Sequence, residues 1–75
     1  MSYSRNRISQ YRKNAGLSQA ELANLVGVDT IDIINYENGT EEPRMDIFSK
    51  IAIACDTSMD ELTVFREDGD GINSL

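Results

Sequence analysis

The chain is expected to fold as an all-α domain of five short helices. Two serine capping boxes, three well-placed glycines and the helical spacing of the apolar residues point that way. Ser18 and Ser58 each precede a glutamate by three residues, at Glu21 and Glu61. In that pattern serine and glutamate side chains each serve the other's backbone amide at a helix start. Gly16, Gly27 and Gly39 fall where the periodic segments stop. No stretch reads as a strand.

The first helix is expected from about Arg5 to Asn14, with Ser4 as its N-cap. Ile8 and Tyr11 supply its apolar side, Arg12 stands one turn after Ile8, and Gly16 ends it in the left-handed conformation. The second helix opens at Ser18. Its buried stripe is Leu22, Ala23 and Val26, and Leu17 packs back on its start. Ala23 is small enough to let another helix approach closely. Gly27 then permits a turn that a Cβ would obstruct.

The third helix is expected from Thr30 to Asn38, capped by Asp29. At about 100° per residue, Thr30, Ile33, Tyr36 and Glu37 share one side. Ile31, Ile34, Asn35 and Asn38 share the other. Asn38-Gly39 closes the helix, and a polar loop runs through Glu42. The fourth helix starts at or just after Pro43, which suits a first helical turn. Met45, Phe48, Ile51, Ala52 and Cys55 recur along it at helical spacing, and Asp56 stands at its exit. The fifth opens at Ser58 and buries Met59, Leu62 and Phe65. Met45, Met59 and Cys55 are expected as core fillers, and Tyr11 and Tyr36 as packing residues. The domain is expected to span residues 4–66, with 67–75 a mobile acidic tail. Asp68-Gly69-Asp70-Gly71 within it lacks the other ligands and the closing glutamate of a calcium loop.

Composition narrows the function. Seventy-five residues make one domain at most. No run of about 18 apolar residues is present, so no membrane span is expected. The first residues lack the apolar stretch of a signal peptide, and a cytoplasmic location is the expectation. Cys55 is alone, which leaves no disulfide or thiol cluster within one chain. There is no histidine, the commonest metal ligand and general base. Without a nucleophile elbow, phosphate loop or metal constellation, an enzyme is a poor reading. No catalytic residue, metal or cofactor is expected.

The motif set resembles the five-helix DNA-binding domain of the Cro and phage-repressor family, the XRE-like, lambda-repressor-like helix-turn-helix proteins. The residues that carry the resemblance are Arg12, Gly16-Leu17-Ser18-Gln19, Glu21-Leu22-Ala23, Gly27-Val28, Ile33, Glu37-Asn38-Gly39, Pro43, Ile51-Ala52 and Ser58-Met59-Asp60-Glu61-Leu62. The resemblance implies double-stranded DNA as partner and the third helix as the element that enters the major groove. It implies that Gln19, Asn38 and Arg44 hold phosphates, with the start of the second helix assisting Gln19. It places Thr30, Ile31, Ile34 and Asn35 at base edges. It makes Arg12 and Glu37 a largely buried ion pair that ties the first helix to the third. A sequence-specific regulator, repressor-like and binding a two-fold operator as a homodimer, is the function it implies. The dimer surface is expected near the fifth helix and the Leu62 to Phe65 segment.

Charge pulls the other way. The net charge is −6, the wrong sign for a chain that must approach phosphate. The charges are uneven, however. Arg5, Arg7, Arg12 and Lys13 lie early, and Asp56, Asp60, Glu61, Glu67, Asp68 and Asp70 lie late. Where the family often carries basic residues, this chain has a neutral third-helix face flanked by Asp29 and Asp32. The loop before Pro43 carries Glu41 and Glu42. Asn35 suits the N6 and N7 atoms of adenine, and an isoleucine suits a thymine methyl. Two exposed isoleucines one turn apart also suit a protein partner, so a protein-interaction module with Ile31 and Ile34 as its contact stays open beside the DNA reading.

Overall fold

The computed structural model describes residues 6–63. Five helices follow one another: α1 (Ile8–Asn14), α2 (Gln19–Val26), α3 (Thr30–Asn38), α4 (Met45–Ala54) and α5 (Met59–Leu62). Among the described residues there is no strand, only an isolated antiparallel bridge between Asn6 and Thr63. No helix there is long and apolar enough to cross a membrane. Ser4, Arg5, Phe65 and the acidic segment 67–75 lie outside the described residues.

Each helix sends one side chain into complete burial: Ile8, Leu22, Ile33, Ile51 and Leu62. Ala23, Val26, Tyr36, Ala52 and Cys55 fill the spaces between them. α2 packs against both α3 and α4, α1 closes over α3, and α5 rests on α4. Burial of an aliphatic side chain stabilises by about 1.5–3 kcal/mol, so these five residues are the main apolar anchor of a small core.

The first helix begins later than its sequence suggests, at Ile8 rather than Arg5. The reason is Asn6. Its side-chain oxygen accepts the Ile8 N–H at 3.0 Å, and its amide donates to the Tyr36 carbonyl at 2.9 Å. Asparagine thus offers the backbone a partner outside the helix. The next amide, Arg7 N–H, donates to the Leu62 carbonyl at 2.7 Å. The chain entering α1 therefore runs beside the exit of α5.

The Ser18 capping box is complete. Glu21 N–H donates to the Ser18 hydroxyl at 3.0 Å, and Ser18 N–H to the Glu21 carboxylate at 2.8 Å. The expected box at Ser58 is only half made. Glu61 N–H donates to the Ser58 hydroxyl at 3.2 Å, but the Glu61 carboxylate accepts the Tyr11 hydroxyl at 2.8 Å instead. A long-range bond joining α1 to α5 has displaced a local one. Met45 is also a correction: it is 71% exposed, not a core filler. It opens α4, ahead of the turn that reaches the core, and Ile47 and Phe48 pack there instead.

The exits of α1 to α4 share one device, a residue in the left-handed conformation. At Gly27 φ is +80°, and Val28 N–H reaches back to the Ala23 carbonyl at 3.0 Å. No atom lies within 4 Å of where a Cβ would sit. The need for glycine is therefore torsional, and no neighbour obstructs a side chain there. Asp56 adopts the same left-handed conformation after α4, at φ +58°, with Thr57 N–H bonded to the Ala52 carbonyl at 2.9 Å. It alone among these exits carries a side chain.

Gly27→Ala should cost about 1–2 kcal/mol, the left-handed penalty of an L-residue. Asp56→Gly should stabilise by up to about 1 kcal/mol. Urea unfolding of both variants checks the pair, and opposite signs are expected. Tyr11 gives a pH test. The bond to Glu61 holds its hydroxyl proton and raises its pKa above the usual 10.0. Its stabilisation is thus present below the ordinary tyrosine range and is lost as pH rises through the raised value. The alkaline fall in Tm should be shallower in Tyr11→Phe.

Candidate nucleic-acid interface

Two helices joined at Gly27 make the centre of this surface. α2 lies against α3 through Leu22, Ala23, Val26 and Ile33. Ala23 has the small side chain that close approach requires. This fixes α3 with Ile33, Tyr36 and Glu37 inward. Thr30 is exposed, so it does not share their buried side. It is the first residue of α3 and lies beyond the edge of the core. Ile31 is 56% exposed. Ile34 and Asn35 are half-buried on the same outer face.

Arg12 and Glu37 are buried, and they meet as expected. Arg12 Nε lies 2.5 Å from Glu37 Oε2, and Nη2 donates to Oε1 at 3.3 Å. The pair is part of something larger. Arg12 Nη1 donates to the Leu17 carbonyl at 2.9 Å, and Gln19 Nε2 donates to Glu37 Oε1 at 3.0 Å. Among the described residues no buried side-chain N or O lacks a partner. Burying two charges is tolerable only when each is paired and its remaining sites are satisfied.

The Gln19 bond has a chemical consequence. A carboxylate only accepts hydrogen bonds, so the amide nitrogen of Gln19 must face Glu37. One amide hydrogen is engaged there, and the second remains for an outside acceptor. Gln19 is the first residue of α2, at the helix end where the dipole favours an anion. Nothing in the sequence announces this link. Gln19 and Glu37 are 18 positions apart, and only the packing of α2 on α3 brings them together.

At the other end of α3, Asn38 is its last residue and Arg44 stands at the N-cap position of α4. Both are exposed. The Arg44 guanidinium lies 3.9 Å from the Asp46 carboxylate, with both groups in solvent. Such exposed pairs contribute little and do not hold the arginine away from a ligand. Carboxylates dominate here. Burial raises the Tyr36 hydroxyl pKa first, and Asp32, Glu41 and Asp46 raise it further while Arg44 opposes them. Asp32 has a structural task as well: its carboxylate accepts the Asp29 N–H at 3.1 Å, which anchors the start of α3.

Residues 8–62 match the sequence profile of the Helix-turn-helix family. The chain belongs to that family. It shares 36% identity over 66 residues with an uncharacterized HTH-type transcriptional regulator of Methanothermobacter thermautotrophicus, covering 87% of this chain and 96% of the relative. The DNA-binding domain of the P22 c2 repressor superposes with a TM-score of 0.69 at 31% identity, covering 72% of this chain and 71% of that one. The restriction-modification controller protein C.AhdI of Aeromonas hydrophila superposes with a TM-score of 0.69 at 33% identity, covering 73% and 83%. This helix-turn-helix chain is a DNA-binding transcriptional regulator, not an enzyme. Its lone Cys55 fits that role: burial raises the thiol pKa, away from the reactive thiolate.

Arg12→Ala should cost about 3–5 kcal/mol by leaving Glu37 buried and uncompensated. Arg7→Ala, at an exposed residue, should fall within about 0.5 kcal/mol of the parent. The double variant Arg12→Met/Glu37→Leu should be more stable than Arg12→Ala, because no buried charge is left behind. Thermal unfolding of the three variants checks this order.

Proposed function

We propose that this regulator reads a two-fold operator as two copies, each laying α3 in the major groove. The observation that carries the reading is the Gln19 amide, held by Glu37 at the start of α2 beside the exposed outer face of α3. In this reading Gln19, Asn38 and Arg44 hold phosphates, which set register and carry no sequence information. Thr30, Ile31, Ile34 and Asn35 meet base edges, Asn35 on adenine and an isoleucine on a thymine methyl. One domain of this size covers a half-site, and a second copy one helical turn away, about 34 Å, supplies useful specificity. The action is repressor-like, and the place is the cytoplasm with the DNA.

A second reading has an observation of its own. Ile31 is 56% exposed and is flanked in the chain by Asp29 and Asp32, which suits a basic, apolar partner protein. That module would have no need of Gln19, Asn38 and Arg44, which is why the DNA reading leads. Selection of bound sequences from a random DNA pool at about 50 mM salt, where weak electrostatic binding persists, separates the two. Recovery of a two-fold consensus supports the operator. Absence of enrichment at low salt favours the protein partner.

Variants then assign the roles. Gln19→Ala and Arg44→Ala should weaken binding to every sequence by similar factors. Asn35→Ala should cost about 1–3 kcal/mol at only one or two base positions. Glu41→Lys/Glu42→Lys should raise affinity and steepen its salt dependence. Glu41 and Glu42 are exposed loop residues and serve better than Asp32, whose carboxylate anchors α3. An affinity indifferent to salt in the lysine variant would count against a duplex on this face.

A further inference from the structure

Leu25, Lys50, Ile53 and Ala54 line an open groove between α2 and α4. The reactive chemistry of the surface lies elsewhere, where α3 ends. Asn38 is the last residue of α3, and Gly39 follows it in the left-handed conformation at φ +84°. The Asn38 side chain is exposed, and no hydrogen bond among the described residues holds its amide. The other asparagines there differ. Asn6 gives its amide to the Tyr36 carbonyl. Asn14, Asn24 and Asn35 precede Ala15, Leu25 and Tyr36, whose side chains hinder attack by the following backbone nitrogen. Gly39 has no side chain to hinder it.

We infer that Asn38-Gly39 is a self-modification site, at which the chain turns a neutral amide of its DNA-facing surface into a carboxylate. The inference rests on the phosphate role proposed for Asn38 and adds a chemical control to it. The Gly39 nitrogen attacks Asn38 Cγ. A bond forms between them, the Cγ–Nδ2 bond breaks, and the Gly39 proton leaves with the side-chain nitrogen as ammonia. The product is a cyclic succinimide. Water then opens the ring at either carbonyl. One opening leaves aspartate in place of Asn38. The other leaves isoaspartate, with the main chain routed through the former side chain.

The fold sets the pace through the turn that closes α3. Gly39 N–H donates to the Tyr36 carbonyl at 3.2 Å, and Thr40 and Glu41 N–H reach the Asn35 carbonyl at 3.0 and 3.3 Å. While those bonds hold, Asn38 keeps its helical torsion and the Gly39 nitrogen is engaged elsewhere. Reaction waits for the last turn to open, which helix ends do at little cost. No basic residue in that turn steadies the carbonyl end of the dipole. The opening stops short of Glu37, whose carboxylate is held by Arg12 and Gln19. The new charge then works against binding twice. A carboxylate at a helix C-terminus opposes the dipole, and one at a phosphate contact repels the ligand.

The test incubates the full chain at mildly alkaline pH, with urea-unfolded chain as the reference. Mass, isoaspartate content and affinity for the DNA recovered by the random-pool selection are followed together. Folded wild type should gain the mass change of amide hydrolysis in the peptide containing Asn38, more slowly than the unfolded chain. The converted fraction should bind about tenfold more weakly or worse, the loss of a hydrogen bond to a charged group. Asn38→Asp, made directly, should bind as weakly as the aspartate product. Asn38→Gln, whose longer side chain closes the ring poorly, should keep its mass over the same period. Gly39→Ala should convert more slowly than wild type in urea, where the fold plays no part. If folded wild type keeps its mass while the unfolded chain converts, the inference falls and the DNA reading is untouched. If it converts with unchanged affinity, the inference falls together with the phosphate role of Asn38. A selection that recovers no DNA strikes the DNA reading itself, and this inference with it, whatever the mass shows.

Discussion

Glu37 is the residue on which three helices agree. Its carboxylate accepts Arg12 from α1 and Gln19 from the start of α2, while its own backbone belongs to α3. Arg12 in turn holds the Leu17 carbonyl in the segment that leads into α2. A buried ion pair is weak evidence for net stability, since desolvation offsets much of the attraction. Its value here is geometric. The planar guanidinium and the carboxylate fix the angle between α1 and α3, and the shared oxygen fixes where the side chain of Gln19 can lie. The apolar core alone would tolerate many small slips between short helices. A network with every site satisfied tolerates few.

That division of labour explains what could be read from the sequence. Local signals were sufficient for the helices. Ser18 with Glu21 marked a start, and Gly27 and Gly39 marked ends, because capping and left-handed exits depend only on neighbours in the chain. The Arg12–Glu37 pair was legible through the family pattern. Signals failed wherever a distant partner outbid a local one. Asn6 delays α1 because Tyr36 and the Ile8 amide both use its side chain. Glu61 abandons its own helix cap for Tyr11, 50 residues away. Met45 fits the apolar period but sits one turn too early to meet the core. For the interface, the outer face of α3 was readable from its period, and the exposure of Thr30 was not. The link from Gln19 to Glu37 had no sequence signature at all.

The two ends of α2 carry different kinds of surface. Its start holds a polar side chain oriented by a buried carboxylate. Its far end presents Leu25 to the groove shared with α4. Substitutions in that groove therefore leave the Arg12–Glu37–Gln19 network untouched, since Leu25, Lys50 and Ile53 are exposed and contribute no bond to it. Effects at the two ends can then be treated as additive, as expected for sites without shared partners.

The acidic composition bears on how such a protein discriminates. Non-specific affinity for DNA comes from cations that neutralise phosphates and release counterions. In the proposed reading two of the three phosphate contacts, Gln19 and Asn38, are neutral amides. They orient the duplex without neutralising it, and Arg44 is the single cation among them. Asp32, Glu41 and Asp46, which all act on Tyr36, oppose a casual approach of any backbone. Non-specific binding is thus penalised on two counts. The base contacts proposed for Asn35 and the isoleucines do not depend on that long-range attraction, because they would operate only once the groove is matched. Specificity is the ratio of matched to unmatched binding, and lowering the denominator raises it as surely as adding contacts. An acid-rich surface around a neutral reading face is then a consistent arrangement for a small regulator. In the proposed reading absolute affinity is sacrificed, and a second copy bound beside the first restores it.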